Sequence, residues 1–265
     1  MKERILQSLS SEYPWKDHFH FFSELDSTND RLKLMAKQGA PHGTVLIADH
    51  QTGGHGRMGR TFLSPEGVGI YFSILLRPAC SPMELLHLTC AAAVAMCEAV
   101  ENAVGFRPGI KWTNDLVHGK RKLGGILTEL GLTPKGMVDY AIIGIGINCC
   151  QRESDFAPEI SNIAGSLAMV SGNSVDRAQV AAAMMEALWH MDARLFTEKN
   201  AMLDQYRSDC ITVGQDISVL RGETVRHGKA LSVDDEGALV VRYTDGTVEA
   251  VNSGEVSVRG MYGYI

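Results

Sequence analysis

The sequence changes character near residue 211, and this change limits the folds that the chain can adopt. Before it, strand-like apolar runs alternate with longer helical stretches, which is typical of an α+β domain with a mixed β-sheet. After it come four short alternating segments separated by turn sequences, at residues 216–220, 225–233, 238–243 and 247–252. We therefore predict a first domain over residues 1–210 and a small β-barrel over residues 211–265.

Apolar periodicity and capping residues locate the elements of the first domain. Helices are predicted over residues 1–9, from the Asp26–Asn29 caps to about Gln38, over 82–104 and as one helix over 176–208. Strands are predicted at 18–24, 44–49, 68–76, 109–112, 115–118, 125–130 and 140–147, with a hairpin turn at Gly119-Lys120.

Charge and cysteine usage exclude several classes of protein. The formal net charge of −6 argues against a general nucleic-acid binder. None of the six cysteines forms a Cys-x-x-Cys pair, so reduced thiols are expected. The N-terminus lacks a signal-peptide core, and no run reaches the roughly 18 apolar residues of a membrane helix. We expect a cytoplasmic protein with neither a nucleic-acid nor a membrane partner.

The segment from Gln51 to Arg60 combines four glycines with His55, Arg57 and Arg60. Glycines let backbone N–H groups come close to a ligand, and arginines offer forked donors to carboxylate or phosphate. The pattern therefore predicts a mobile anion-binding loop, with a solvated surface loop as the alternative. It is not a Walker A loop, because no Gly-Lys-Ser/Thr ends it.

A second polar cluster, Lys111-Trp-Thr-Asn-Asp-Leu116, ends an apolar strand. It places a cation, an amide and a carboxylate within a few residues of one another. Asp115 is a candidate magnesium ligand, because magnesium takes one or two carboxylates beside phosphate oxygens. A structural turn capped by Asp115 explains the same residues.

Two further runs place glycines on buried strands. In Arg121–Glu129, Lys122 precedes two adjacent glycines, which indicates that a ligand or another backbone comes close. In Gly144-Ile-Gly-Ile-Asn148 the alternating glycines share one face and predict a flat floor for a ring system. Close packing of a helix on the sheet is an equal alternative for the second run.

Taken in order, these runs resemble the biotin–protein ligase family. That family shows a Ser-Thr-Asn triplet, Gly-Arg-Gly-Arg-x-Gly-Arg, Lys-Trp-Pro-Asn-Asp, Arg-Lys-Leu-x-Gly-Ile-Leu-x-Glu and Gly-x-Gly-Ile-Asn. The resemblance extends to Ser253–Arg259, which is similar to the family's SH3-like C-terminal domain. His55 departs from it, because an arginine usually stands there. Thr113 replaces proline, and Phe62 keeps an aromatic position.

The resemblance implies a catalytic domain like that of class II aminoacyl-tRNA synthetases, and a role for each motif residue. Arg57, Arg60 and Lys122 would be catalytic, and Asp115 a weak magnesium site. Nucleotide contacts would come from Arg57, Arg60, Phe62, Lys111, Asn114 and Asn148. Biotin contacts would come from Ser27, Thr28, Asn29, Gln51, Gly54, His55, Arg57, Lys122, Gly125, Gly144 and Gly146.

The same resemblance implies that biotin is activated with ATP and Mg²⁺ as biotinyl-5′-adenylate and passed to a lysine of a biotin carboxyl carrier protein. The triplet begins at Ser27, so we expect a ligase without the DNA-binding domain that many members carry. A homodimer is possible. The alternatives are a lipoate–protein ligase or octanoyltransferase of the same fold, and a non-catalytic ligand-binding regulator.

Overall fold

The computed structural model describes residues 1–253 and 257–260. The first part of the chain forms a seven-stranded sheet in the order β1-β2-β3-β7-β6-β5-β4. Only the neighbours β1 and β2 are parallel among these strands. The strands are β1 Phe19–Leu25, β2 Thr44–Gln51, β3 Gly69–Leu76, β4 Gly109–Lys111, β5 Asp115–His118, β6 Arg121–Leu132 and β7 Val138–Asn148.

Six α-helices and four short 3₁₀ turns accompany the sheet in the part of the chain that the structure describes. The 3₁₀ turns cover Lys16–His18, Arg57–Gly59, Pro82–Leu85 and Glu153–Asp155. The helices are α1 Lys2–Ser8, α2 Thr28–Lys37, α3 Leu88–Val104, α4 Leu167–Ser171, α5 Arg177–Arg194 and α6 Lys199–Asp209.

Alternation along the central strands separates two apolar layers. Val45 and Ile47 of β2 face a large core that also holds α3 and α5. Leu46 and Ala48 face the opposite layer, where α2 packs. Helices on both faces bury the sheet, which explains why its strands are almost continuously apolar.

The segment Pro82–Val104 has the length and composition of a membrane-spanning helix, contrary to the expectation that no segment would. Its mean hydropathy over an 18-residue window is 1.5, and 72% of that window is buried inside the structure. The buried residues belong to the large core. The segment therefore has the surroundings of a core helix. A 3₁₀ turn and α3 share it, with a capping box between Ser81 and Glu84.

The prediction of one helix over residues 176–208 is wrong, because the chain forms α5 and α6 with a break at Leu195–Glu198. Leu195 is buried, and its carbonyl accepts a hydrogen bond from Nε2 of His87 at 3.0 Å. This contact ties the break to the start of α3. Both helices then pack against α3, which a single straight helix would not do.

The last part of the chain forms a five-stranded antiparallel sheet in the order β11-β10-β9-β8-β12. The four predicted strands are confirmed, and a fifth pairs with β8. Residues 254–256 of the predicted terminal motif lie outside the described residues. The strands are β8 Asp216–Arg221, β9 Thr224–Val233, β10 Leu239–Tyr243, β11 Val248–Val251 and β12 Ser257–Gly260.

The β9–β10 turn joins this sheet to the first. The indole Nε1 of Trp112 donates to the carbonyl of Gly237 at 3.0 Å. Arg207 of α6 donates to the carbonyl of Val233 at 2.7 Å, and Lys199 pairs with Glu236 at 3.0 Å. The turn therefore holds the C-terminal sheet next to the strand that carries Lys111.

Candidate active site

A cavity of about 950 Å³ lies at the start of α2, under the loop that follows β2, and against β5, β6 and β7. It brings together residues that are up to 231 positions apart in the sequence, from Ser27 to Val258. The predicted site residues that line it are Ser27, Thr28, Asn29, Gln51, His55, Arg57, Arg60, Phe62, Lys111, Asn114, Asp115, Lys122, Gly125, Gly144, Gly146 and Asn148.

Gly54 is the predicted site residue that the structure places outside the lining. It is buried in the loop, and its carbonyl accepts a hydrogen bond from the backbone N–H of Phe62 at 2.9 Å. A Cβ at this position would lie 2.6 Å from the carbonyl oxygen of Phe62. Gly54 therefore serves close packing within the loop.

The start of α2 presents its polar groups in fixed orientations. The oxygen Oε1 of Gln51 accepts from the backbone N–H of Thr28 at 2.8 Å and lies 3.0 Å from its hydroxyl. The other end of the same amide, Nε2, donates to the hydroxyl of Ser64 at 3.0 Å. Since both ends of the Gln51 amide are bound, its orientation is set before any ligand arrives.

Asn29 belongs to a second, deeper network. Its Oδ1 accepts from the hydroxyl of Ser73 at 2.6 Å, and its Nδ2 donates to Glu129 at 2.8 Å. Lys33 neutralises Glu129 through an ion pair of 2.7 Å. A buried network with each polar group bonded is rigid, so Asn29 is preorganised.

Lys122 and Asp115 form an ion pair at the base of the cavity, with Nζ 2.6 Å from Oδ1. The β5–β6 hairpin brings them together, aided by an irregularity between Leu116 and Val117 that shifts the register. The backbone of Lys122 is also held, because its N–H donates to Ile163 and its carbonyl accepts from Gly165. Main chain and side chain of this lysine are thus both fixed.

The two adjacent glycines of β6 have different roles. A Cβ at Gly124 would overlap the backbone of Gly146 on the neighbouring strand, so this glycine permits close approach of two backbones. A Cβ at Gly125 would meet the side chains of Asp115 and Lys122 at an ordinary 3.5 Å. Gly125 therefore leaves space in the cavity that no neighbouring backbone takes up.

Arg57 connects the loop to two other parts of the molecule. Its guanidinium donates to Oδ1 of Asn114 at 3.1 Å and to the carbonyl of Ser253, next to the C-terminal sheet. Burial lowers the pKa of Arg57, and Asp115 opposes that shift. A guanidinium remains protonated under physiological conditions, so the group brings a full positive charge to the cavity.

His55 occupies the loop position where an arginine was expected. Its Nδ1 lies 3.3 Å from the carbonyl of Gly53 and 3.8 Å from the carboxylate of Asp30 on α2. The shorter side chain thus reaches back to the helix that carries Asn29 rather than across the cavity to Lys122.

The flat floor predicted at Gly144 and Gly146 is covered by protein side chains. A Cβ at Gly144 would overlap the amide of Asn29, and one at Gly146 would overlap the ring of Phe62. The glycines are needed because these two side chains lie directly on the strand. Sequence alternation located the shared face correctly but not what occupies it.

Several lining residues were not predicted. Gln151 follows β7 and Val258 comes from β12. Others lie in the loop after β2 and on the strands, such as Leu63 and Ile126, and a further group comes from the end of the 3₁₀ turn at Glu153–Asp155 and the connection after it. That connection shows no helical or strand period, so the sequence contains no signal for its position. Its lining residues are Asp155, Phe156, Ala157, Ile160, Ile163 and Ala164.

No group of three or more His, Cys, Asp or Glu side chains suited to a metal ion occurs in residues 1–253 and 257–260. Asp115 offers a carboxylate at the cavity, and it shares that carboxylate with Lys122. Such a site fits an ion that arrives with phosphate oxygens as its other ligands, which is how magnesium is usually held.

Two sequence profiles match the chain. The profile of the biotin/lipoate A/B protein ligase family matches residues 21–148, and that of the biotin protein ligase C-terminal domain matches residues 212–259. The bifunctional ligase/repressor BirA of Bacillus subtilis (strain 168) is 34% identical over 248 residues, which are 91% of this chain and 74% of that protein. The biotin--[acetyl-CoA-carboxylase] ligase of Mycobacterium tuberculosis is 31% identical over 88% of this chain and 86% of that protein.

Among solved structures, the chain is similar to a biotin protein ligase from Aquifex aeolicus in complex with biotin and ATP. The TM-score is 0.77 and the sequence identity 32%, over 91% of this chain and 98% of that one. A biotin protein ligase from Leishmania major in complex with biotinyl-5-AMP has the same fold, with a TM-score of 0.62.

Proposed function

The chain belongs to the biotin–protein ligase family, and from this membership we propose how the residues of its cavity carry out the reaction. The enzyme is a ligase that uses biotin and ATP. A lipoate ligase, the alternative of the same fold, is not favoured by these relatives. The observation that carries the residue roles is the convergence of the loop arginines, Lys122 and the Ser27–Asn29 triplet on one cavity.

The first half-reaction joins two anions. A carboxylate oxygen of biotin attacks the α-phosphorus of ATP, a C–O–P linkage forms, and pyrophosphate leaves with the electrons of the broken P–O bond. Fixed cations stabilise the charge that develops on the phosphorus centre. We assign this role to Arg57, Arg60 and Lys122.

Biotin binds, in this proposal, between the start of α2 and Gly125. Its head is uncharged and carries N–H donors and a carbonyl acceptor. Ser27, Thr28 and Asn29 present fixed polar groups to such a head, supported by Gln51. Gly125 leaves room beside Lys122, and Arg57 and Lys122 attract the acid tail. Gly144 and Gly146 contribute indirectly, by letting Asn29 and Phe62 lie close to the strand.

The nucleotide binds further along the same cavity. Lys111 and Arg60 supply positive charge, while Asn114 and Asn148 supply amides. Phe62 offers an aromatic face at the edge of the loop. Both amides are oriented by the backbone, because Asn114 donates to the carbonyl of Ile126 at 2.9 Å and Asn148 to that of Gly165 at 3.0 Å.

We propose that magnesium is bound by ATP together with Asp115. Bound there, the ion would neutralise phosphate charge and so assist the departure of pyrophosphate. The position of Asp115 in the cavity lining, held by its ion pair with Lys122, supports this proposal.

In the second half-reaction the acceptor lysine must arrive as a neutral amine. Its nitrogen attacks the carbonyl carbon of biotinyl-adenylate, AMP leaves, and the amide nitrogen releases a proton. Nearby cations lower the pKa of an amine and so favour its neutral form. We propose a biotin carboxyl carrier protein as the acceptor, in keeping with the name of the Mycobacterium tuberculosis relative.

Three further proposals concern the whole molecule. Residues 1–210 would form the catalytic unit and residues 211–265 the C-terminal unit. The six cysteines are all free thiols, which supports a cytoplasmic location. A homodimer would form through an edge of the seven-stranded sheet, where β1 and β4 are the edge strands.

The deciding experiment combines the protein with ATP, magnesium, biotin and a carboxylase carrier domain, followed by intact-mass measurement of the carrier. A carrier heavier by one biotinyl group is expected, and none when its acceptor lysine is replaced. Lipoate and octanoate in place of biotin serve as controls. Modification with either of them and not with biotin would contradict the assignment.

A further inference from the structure

Gln151 is a buried amide in the cavity lining that the roles above do not use. Its side chain is 2% exposed, and its Oε1 is shielded from solvent with no hydrogen-bond partner among the described residues. Leaving a buried acceptor unpaired is costly, and native structures rarely do so without a reason. A nonpolar side chain at position 151 would avoid that cost. The hydrogen bond made by the nitrogen of the same amide, Nε2, is therefore the feature that explains why a glutamine stands here.

That other end points at Asn148. Nε2 of Gln151 donates to Oδ1 of Asn148 at 3.1 Å, and Nδ2 of Asn148 donates to the carbonyl of Gly165 at 3.0 Å. The Gln151 backbone is held in turn, because its carbonyl accepts from the hydroxyl of Ser166 at 2.7 Å. The side chains of Gln151 and Asn148 and the carbonyl of Gly165 thus form a hydrogen-bond relay. Nε2 of Gln151 is its first donor, and the carbonyl oxygen of Gly165 is its last acceptor.

The relay has one consistent direction. Turning over the Asn148 amide would set its nitrogen against the Gln151 nitrogen and its oxygen against the Gly165 carbonyl. Turning over Gln151 would bring two carbonyl oxygens together. Each reversal replaces hydrogen bonds by repulsion between like dipoles, so Gln151 and Gly165 together fix which atom of Asn148 is the oxygen.

A fixed amide has a definite remaining capacity. A carboxamide oxygen has two lone pairs and its nitrogen two hydrogens, and the relay uses one of each. Asn148 therefore keeps one acceptor and one donor position. Adenine offers the complementary pair, an amino donor at N6 next to an acceptor ring nitrogen, which is how asparagine reads adenine elsewhere. A 6-oxopurine offers two acceptors at the same edge.

We propose that Gln151 is a positioning residue that makes the enzyme select an adenine nucleotide, by holding the Asn148 amide with its oxygen available to the base amino group. The inference rests on the nucleotide-binding role proposed for Asn148. Gln151 acts through Asn148 and does not itself contact the base.

The test measures biotin-dependent pyrophosphate release with ATP and with inosine triphosphate, which differs from ATP at the base and carries an oxygen at position 6. Variants Gln151→Met and Gln151→Glu remove the donor while nearly keeping the shape. Gln38→Glu, at an exposed position outside the cavity, is the matched control. Biotin affinity by calorimetry and Tm are measured on each variant.

We expect the wild type to prefer ATP by about tenfold or more in kcat/KM, as the loss of one two-point base contact predicts. Gln151→Met should lose most of this preference through a higher KM for ATP. Gln151→Glu, measured at a pH above the pKa of its carboxyl, accepts hydrogen bonds only. Its charge-assisted bond to the Asn148 nitrogen should outweigh the contact of the Asn148 oxygen with the Gly165 carbonyl, so Asn148 should turn and the ratio should move towards inosine triphosphate. Gln38→Glu should match the wild type.

The ratio of kcat/KM for ATP to kcat/KM for inosine triphosphate separates this role from a merely structural one, because a loosened cavity would lower turnover with both nucleotides alike. An unchanged ratio in either folded variant would overturn the proposal. So would a wild type that uses both nucleotides equally well, a result that needs no variant. Absence of biotin-dependent turnover with any nucleotide would instead refute the proposed function.

Discussion

The ammonium of Lys122 lies 2.6 Å from a carboxylate oxygen of Asp115, across the hairpin that joins β5 to β6. Asp115 is in this way the local counter-charge of the lysine, and it keeps Nζ at the base of the cavity. An arriving phosphate or carboxylate would compete with Asp115 for the same ammonium. In the proposed mechanism, the pair thus supplies a cation to the reaction centre whose charge Asp115 balances before the substrates bind.

Replacing Lys122 tests this arrangement. We expect Lys122→Met to lower the rate of adenylate formation roughly 100-fold, the usual effect of removing one preorganised electrostatic contact. Lys120→Met, in the exposed turn of the same hairpin, is the control and should keep wild-type rates. Single-turnover release of pyrophosphate measures the effect. Equal rates in the two variants would remove Lys122 from the reaction centre.

Arg57 should govern how long the activated intermediate stays bound. Arg57→Gly removes the contacts to Asn114 and Ser253, so we expect biotinyl-adenylate to dissociate at least about tenfold faster. Lys135→Gly removes a cation from a remote exposed turn and should leave dissociation unchanged. A pulse of labelled biotin followed by a chase measures the rate. Wild-type retention in Arg57→Gly would refute closure of the loop by this residue.

The adjacent glycines of β6 allow packing to be separated from binding. A methyl group at Gly125 fits the protein, so Gly125→Ala should keep the wild-type Tm while biotin affinity falls, because the methyl occupies ligand space. A methyl group at Gly124 would overlap the backbone of Gly146, so Gly124→Ala should lower Tm. Thermal unfolding measures the Tm of both variants, and calorimetry measures their biotin affinity. Unaltered biotin affinity in Gly125→Ala would place the ligand elsewhere.

His87 should make the stability of the fold sensitive to acid. Burial lowers the pKa of His87, with Lys199 acting in the same direction and the Leu195 carbonyl and Glu236 opposing. Below its ordinary pKa near 6.5 the unfolded chain takes up a proton that the folded chain resists. The free energy of unfolding should therefore fall as the pH drops from 7 towards 5.5.

His87→Gln keeps a donor for Leu195 and cannot titrate, so its free energy of unfolding should fall less over the same interval. Urea unfolding at the two pH values gives the difference. His20→Gln is the comparison, because burial lowers the pKa of His20 too, and Lys2 and His18 assist. A slope in His87→Gln equal to that of the wild type would show that this histidine does not set the acid response.

The predictions from sequence held where a short pattern decides the structure. The helix cap predicted within Asp26–Asn29 is confirmed at Ser27, because a side-chain oxygen before an apolar period defines a helix start. The Gly119-Lys120 turn is confirmed for a similar reason, since Gly119 adopts a positive φ of 55°. The predicted site residues also line the cavity, with Gly54 as the exception.

The sequence did not predict features that depend on contacts between distant residues. The break between α5 and α6 has neither glycine nor proline at its centre, and it depends on His87, 108 residues away from Leu195. The sequence around Gln151 does not distinguish it from other polar residues that follow a strand. Its role depends on the direction of the hydrogen bonds between Gln151, Asn148 and Gly165, which only the structure shows. Val258 reaches the cavity only because β12 pairs with β8.

The backbone of Lys122 is bonded on both sides to the connection that contains Ile163 and Gly165, through its N–H and its carbonyl. Residues of that same connection line the cavity at Phe156 and Ile160. In the proposed mechanism, a ligand that contacts this wall would therefore also act on the main chain of Lys122. We therefore expect substitutions of Phe156 or Ile160 to alter turnover through the main chain of Lys122, without any change to a charged group.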